Sequence, residues 1–202
     1  MSTAAEIRSR IDRSRPGTFF SIEDYSLDKR SAAETAFSRL ASDRKIKRVR
    51  RGLYWKPHKT RFGTSGPSAE IVLERVLEGR GFGPTGWSAA NALGLTSQVP
   101  ARPSFVVFGP IPTGTGNVRI SSRWNLERLD LAPLEIAALE ILREYPRYVD
   151  VDWPELKVRL LALDRAGRVR LNRVIRAARN ERSRRVRDLA GELSLDDVGL
   201  AA

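Results

Sequence analysis

Residues 45–57, KIKRVRRGLYWKP, restrict the fold more than any other part of the chain. Six basic residues are interleaved there with Ile46, Val49, Leu53, Tyr54 and Trp55, and the run breaks once, at Gly52. Two short β-prone runs, 46–49 and 53–55, flank Arg50-Arg51-Gly52, and Gly52 can adopt the positive φ that a tight hairpin needs. The alternation predicts a hairpin pinned to a core by Ile46, Val49, Leu53 and Tyr54, which leaves Lys45, Lys47, Arg48, Arg50, Arg51 and Lys56 available to phosphates. A solvated hairpin with no partner is the plainer alternative. It is costly, because close like charges destabilise a fold unless counterions or phosphates relieve them.

The residues before the hairpin read as helices. Ser2 or Thr3 can cap a first helix, with Ala4, Ile7 and Ile11 at near-helical spacing until Pro16-Gly17 stops it. Residues 18–20 are short and apolar and read as extended. Ser21, followed by acids, opens a brief second helix that ends near Leu27, with residues 28–30 as the turn. Ser31 and Glu34 have the spacing of a capping box, and Ala33, Phe37, Leu40 and Ala41 then repeat at helical period. This third helix buries Phe37 and Leu40 and exposes Thr35, Ser38, Arg39 and Ser42. Three helices and a basic hairpin describe a winged helix-turn-helix, in which the third helix enters the major groove and the hairpin follows the phosphate backbone.

Charge divides the chain the same way. Residues 1–61 carry a net +9, residues 62–164 a net −2 and residues 165–202 a net +5, within a total of +12. The stretch 56–68, rich in Gly, Ser, Thr and Pro, reads as a linker, so the domains are set at 1–61 and 62–202. Net positive charge favours a polyanionic partner, whether nucleic acid, membrane or acidic protein. With no cysteine and a single histidine, His58, disulfides, thiolate zinc sites and multi-histidine sites are excluded. The first fifteen residues have no apolar leader core, and the most apolar later stretch is interrupted by Glu135 and Glu140. A reducing cytoplasm and no membrane contact are the expectation.

In the body, residues 68–79 read as an amphipathic helix capped by Ser68, with Ile71, Val72, Val76 and Leu77 on one side. Residues 87–95 read as a short helix, and 133–145 as a helix with Pro133 at its start. The runs SFVVF, VRISSR and LERLDL read as strands. The expected class is α+β: a winged helix-turn-helix followed by a small domain with a mainly antiparallel sheet and basic C-terminal helices. GFGPTG, residues 81–86, matches a dinucleotide-binding pattern in letters, yet it follows a helix, contains Pro84 and has no acidic residue between Glu78 and Glu127. Asp150, Asp152 and Glu155 could approach a Mg²⁺ ion, but with no phosphate-cradling loop or nucleophile they read as a solvated loop and a helix cap. His58 reads as a solvated turn residue or a phosphate neighbour, and no catalytic constellation, metal site or cofactor is expected.

From residue 165 to 187, ten arginines face one acid, Glu181, with Leu171, Val174, Ile175, Ala178 and Val186 as an apolar stripe. Three readings stand: a solvated face on helices packed against the body, a second nucleic-acid contact through Arg173, Arg176, Arg179 and Arg184, or a dock for an acidic partner.

The segments SAAETAFSRLASDRKIKRVRRGLYWKP and GWSAANALGLTSQVPARPSFVV resemble the AbiEi-type antitoxins of type IV toxin–antitoxin systems, over residues 5–145. The resemblance implies an N-terminal DNA-binding domain that represses its own operon, a following domain with antitoxin activity, and a nucleotidyltransferase-like toxin encoded nearby. It also implies that Ser31, Thr35, Ser38 and Arg39 approach bases while Arg48, Arg50 and Arg51 hold the backbone. The C-terminal region is shorter than in longer members. The function expected is a promoter-binding autorepressor and antitoxin on double-stranded DNA, compatible with a homodimer. The alternative is a protein-interaction or RNA-binding module that neutralises such a toxin. About six neutralised phosphates would cost on the order of a thousandfold in affinity between about 50 and 200 mM salt.

Overall fold

Ser2 sits in extended backbone and accepts a hydrogen bond from the Ala5 N–H, which starts α1 (Thr3–Arg13) with Ile7 and Ile11 buried. This is the first element of a computed structural model that describes residues 2–61 and 63–199. Gly17, at φ +89°, turns the chain into β1 (Phe19–Ser21). The Ser21 side chain accepts from the Glu23 N–H and opens a 3-10 turn, Ile22–Asp24. A second 3-10 turn, Leu27–Lys29, runs directly into α2 (Arg30–Ser42). The single brief helix expected there is therefore two 3-10 turns.

The box expected between Ser31 and Glu34 does not cap α2. Lys29 is the capping residue, it makes no side-chain cap, and Ser31 lies inside the first turn. The turn before it removes the need: the Lys29 and Arg30 N–H groups donate to the Ser26 and Leu27 carbonyls, so donors that a free helix start would leave orphaned already have partners.

Arg44, at φ +56°, leads out of α2 into β2 (Lys47–Arg50), and Gly52, at φ +77°, turns it into β3 (Leu53–Trp55). The sheet is antiparallel, in the order β1-β3-β2. Where a linker was expected, β4 (Lys59–Thr60) and β5 (Gly63–Thr64) form a second small hairpin. Phe62, in that stretch, lies outside the described residues. The first compact unit comprises Met1–Val72 and Thr113–Gly116, and the second Leu73–Pro112 and Asn117–Ala202. Their boundary falls within α3 (Ala69–Val76), which starts where the Ser68 side chain accepts from the Ile71 N–H. Val72 and Leu73 are the buried residues of α3, and Ile71 is exposed.

In the second unit, β6 (Phe82–Pro84), α4 (Gly86–Ala92), β7 (Ser104–Phe108) and β8 (Arg119–Arg123) precede α5 (Pro133–Glu144). The sheet order is β6-β7-β8. β6 pairs antiparallel with β7, but β8 pairs parallel, with Ser104 opposite Arg119 and Phe108 opposite Arg123. The sheet is thus mixed and not mainly antiparallel, because β8 begins at the same end of the sheet as β7. LERLDL is not a strand either. Asn125 caps a 3-10 turn, Leu126–Asp130, by accepting from the Glu127 N–H, and this places Arg128 in the interior. The remaining helices are α6 (Trp153–Arg165), α7 (Leu171–Arg179) and α8 (Arg184–Gly199). The fold is α+β. No helix among the described residues is long and apolar enough to cross a membrane.

α5 is the spine of this unit, with every residue from Glu135 to Leu142 buried. Its two glutamates are each paired. Glu135 accepts from the Ala132 N–H at 2.7 Å and from Arg170 at 2.5 Å, so it ties the start of α5 to the start of α7. Glu140 meets Arg128 at 2.7 Å and Arg123 at 2.8 Å. Arg128 bridges onward to Glu181 at 2.7 Å, and Glu181 also bonds Arg143 and Asn125. Burial alone would raise the pKa of Glu140 and Glu181, but the arginines, Arg128 foremost, outweigh it and hold both carboxyls below their ordinary range.

Because both carboxyls are depressed in the folded state, the stability they contribute is fully present above the ordinary glutamate value of 4.5 and is lost as pH falls through the lower folded-state values. The urea midpoint should fall steeply with acidification in that window, and less steeply in Glu140→Gln. Arg128→Met leaves two buried carboxylates without their shared cation and should cost about 3–5 kcal/mol in urea unfolding.

Candidate nucleic-acid interface

Everything on the basic face of the first unit is positioned by one aromatic layer. Phe37, on the buried side of α2, stacks on Tyr54 of β3 with centroids 4.9 Å apart and planes 10° apart. Tyr25 meets Phe37 edge-on at 5.9 Å, and Phe20 lies 6.5 Å away. Ile7, Ile11, Ala33, Leu40 and Ile46 complete this core. Helix α2 and the hairpin therefore hold a fixed mutual geometry.

With Ala33, Ala36, Phe37 and Leu40 turned inward, α2 leaves Ser31, Thr35, Ser38, Arg39 and Ser42 exposed. The stripe expected from the 3.6 period is the one found. Two of its hydroxyls are engaged along the helix: Thr35 donates to the Ser31 carbonyl and Ser42 to the Ser38 carbonyl, both at 3.1 Å. Arg39 lies in the last turn, where a cation suits the helix dipole.

On the hairpin, strict alternation would put Arg48 and Arg50 on one side. The structure separates them, because the register shifts between these residues: Arg48 faces Tyr54 and Arg50 faces Leu53, neighbours on β3 that point to opposite faces. Lys45, Lys47, Arg48 and Arg51 are exposed, and Arg50 is half-buried. Among the described residues no ion pair forms at Lys47, Arg48, Arg50 or Arg51, and Lys45 has only a solvent-exposed contact with Asp12 at 3.5 Å.

Lys56 has a different task from the one expected. Its ammonium donates to the carbonyls of Ile11 at 2.5 Å, Ser14 at 2.7 Å and Asp12 at 3.2 Å. All three protons of the ammonium are used, and a cation at the end of α1 both bonds its last carbonyls and opposes the dipole. Lys56 is a fastener between β3 and α1 and is removed from the phosphate-facing set. No sequence signal separates it from its neighbours, since the contact spans more than forty residues of chain.

Beside this fastener is a cleft of about 510 Å³, lined by Asp12, Asp43, Arg44, Lys45, His58 and Lys59 among others. It mixes both signs of charge, so it does not make a concentrated anion site. His58 is exposed, with its ring 6.3 Å from that of Trp55.

Arg173, Arg176, Arg179 and Arg184 lie on α7 and α8, whose apolar stripe, Leu171, Val174, Ile175, Ala178 and Val186, is buried. Of the four singled out, Arg176 pairs with Glu127 at 3.3 Å and Arg184 with Asp188 at 3.5 Å. No ion pair forms at Arg173 or Arg179 among the described residues, and Arg179 is exposed. Glu181, the lone acid of the run, is buried in the ion cluster.

The other sequence motifs have structural explanations. Gly83 is required by packing: a Cβ there would lie 2.6 Å from the Pro133 carbonyl oxygen and 2.7 Å from Ile136, so glycine lets β6 lie directly against α5. GFGPTG follows α3, as expected; it contains β6 and the first residue of α4, and Thr85 between them donates to Glu140. Asp152 caps α6 by accepting from the Glu155 N–H at 3.0 Å. Among the described residues no group of three or more His, Cys, Asp or Glu side chains could hold a metal ion.

A family described as "Family of unknown function (DUF6088)" matches residues 6–113, just over half of the chain. No curated protein matches it. Among solved structures, the fold is similar to that of the RV2827C protein from Mycobacterium tuberculosis, with a TM-score of 0.55 and 17% identity over 94% of this chain and 75% of that one.

Lys56→Met keeps the aliphatic stem and deletes the ammonium. It should lower stability by about 1.5–3 kcal/mol, as expected for hydrogen bonds from a charged donor, measured by urea unfolding.

Proposed function

We propose, for a chain that belongs to the DUF6088 family, that the first unit is a winged-helix module binding double-stranded DNA. α1, the two 3-10 turns and α2 take the places of the three helices. α2 lies in the major groove, and the β2-β3 hairpin lies along the backbone. The observation that carries this reading is that Lys47, Arg48, Arg50 and Arg51, on the two faces of a hairpin that Phe37 and Tyr54 fix to α2, have no acid paired with them among the described residues. Cations held rigidly in this way suit a regular polyanion, since binding releases condensed counterions and relieves the crowding.

In this mechanism Lys45, Lys47, Arg48, Arg50 and Arg51 set register on the backbone, and the exposed Ser31, Thr35, Ser38 and Arg39 reach base edges. Autorepression of the module's own promoter and an antitoxin role for the second unit extend the proposal by the AbiEi resemblance. The DNA contact itself stands on the first unit's geometry.

With Lys56 withdrawn, about five phosphate contacts remain, so affinity should fall on the order of 500-fold between about 50 and 200 mM salt. Arg48→Ala with Arg51→Ala should flatten the slope of log affinity against log salt by about 1.8 and weaken binding to every duplex alike. Arg39→Ala should instead change which sequences are preferred, by about 1–3 kcal/mol at the affected base pair. Quantitative mobility-shift titrations across salt read all three. Affinity independent of salt, or a slope unmoved by the double substitution, would end the proposal.

A further inference from the structure

We propose that the surface around Trp124 and Leu126 in the second unit docks an acidic protein segment that carries apolar anchor residues. The two side chains keep 68% and 71% of their accessible surface. They flank Asn125, which is buried and holds the backbone firmly: its amide donates to the Ala177 carbonyl at 2.9 Å and to Glu181 at 3.0 Å, and its oxygen accepts from the Glu127 N–H at 3.1 Å. Trp124 and Leu126 are thus displayed from either side of a residue anchored in the buried ion cluster. Phe108, at the end of β7, meets the Trp124 ring edge-on at 6.1 Å, and Ile111 just beyond is half-exposed.

Arginines adjoin this apolar surface. Glu127, next to Leu126, holds Arg176 at 3.3 Å and Asn180 at 3.5 Å, and Arg173 and Arg179 lie on the same helix as Arg176. Rigid tryptophan with arginine at its rim is the composition of an interface hot spot. Three observations choose the occupant. The arginines call for negative charge. Leu126 and Ile111 are exposed and aliphatic and give a base no ring to stack on, which favours the apolar anchors of a protein over a nucleic acid. A second copy of a chain with net charge +12 would set this arginine-bearing side against itself in a two-fold contact. An acidic partner with aliphatic or aromatic anchors satisfies all three. This surface is independent of the DNA contact proposed for the first unit.

The test pans the full-length chain against a displayed library of random linear peptides and synthesises those enriched. The expected peptides are acidic and contain Leu, Ile, Phe or Trp. They should bind Trp124→Ala/Leu126→Ala about tenfold or more weakly, lose affinity for Arg176→Glu/Arg179→Glu, and bind Arg48→Ala/Arg51→Ala unchanged. That last variant separates failure here from failure of the DNA proposal. The inference is overturned if no peptide is enriched, or if enriched peptides ignore the Trp124 and Leu126 substitutions. It is equally overturned if a single-stranded oligonucleotide displaces the peptides from this surface, or if sedimentation shows self-association that Trp124→Ala abolishes. Both substituted side chains are exposed, so the unfolding midpoint should stay at that of the unaltered chain.

Discussion

The stack of Phe37 on Tyr54 is the contact on which the basic face depends. One ring belongs to a helix and the other to a hairpin strand, so the pair converts two marginal elements into one rigid body. A hairpin alone is barely stable in water, and a thirteen-residue helix with no side-chain cap is little better. Packed through an aromatic layer that includes Phe20 and Tyr25, each supports the other. Lys56 and α1 reinforce the layer from behind, since the ammonium that joins β3 to the end of α1 fixes the base of the hairpin while its tip stays in solvent.

The two units handle positive charge in opposite ways. In the first, the hairpin cations are left without an ion pair among the described residues and, Arg50 apart, are exposed, a cost that a regular polyanion can relieve. In the second, Arg123, Arg128 and Arg143 turn inward onto Glu140 and Glu181, and the pKa of each acid is lowered. A buried cluster of this kind contributes little net stability relative to apolar packing, yet it tolerates no missing member. Its effect here is positional: it draws the 3-10 turn at Leu126–Asp130, α5 and the segment between α7 and α8 together, and through Asn125 it holds Trp124 at the surface.

Much of the first unit was legible because its signals are local. The 3.6 period identified which side of α2 is buried, and the break at Gly52 located the hairpin turn to the residue. Reading failed where a distant partner decided the outcome. Ser31 and Glu34 match a capping box in letters, but the preceding 3-10 turn had already satisfied the helix start. LERLDL looks like an alternating strand, but Asn125 and the pull of Arg128 toward Glu140 and Glu181 wind it into a 3-10 turn. Lys56 looks like its basic neighbours, yet its ammonium meets three carbonyls at the end of α1.

The order of residues by itself determined the charge distribution, the helical and strand periods and the turn glycine, because each of these depends on neighbours a few positions away. Only the tertiary structure decided which ionic groups remain available. Whether a lysine meets solvent or a helix end, and whether a glutamate ends in water or between two arginines, depends on the elements that packing brings together from dozens of residues apart. The free cations of the hairpin, the buried acids of α5 and the exposed Trp124 are all results of that packing.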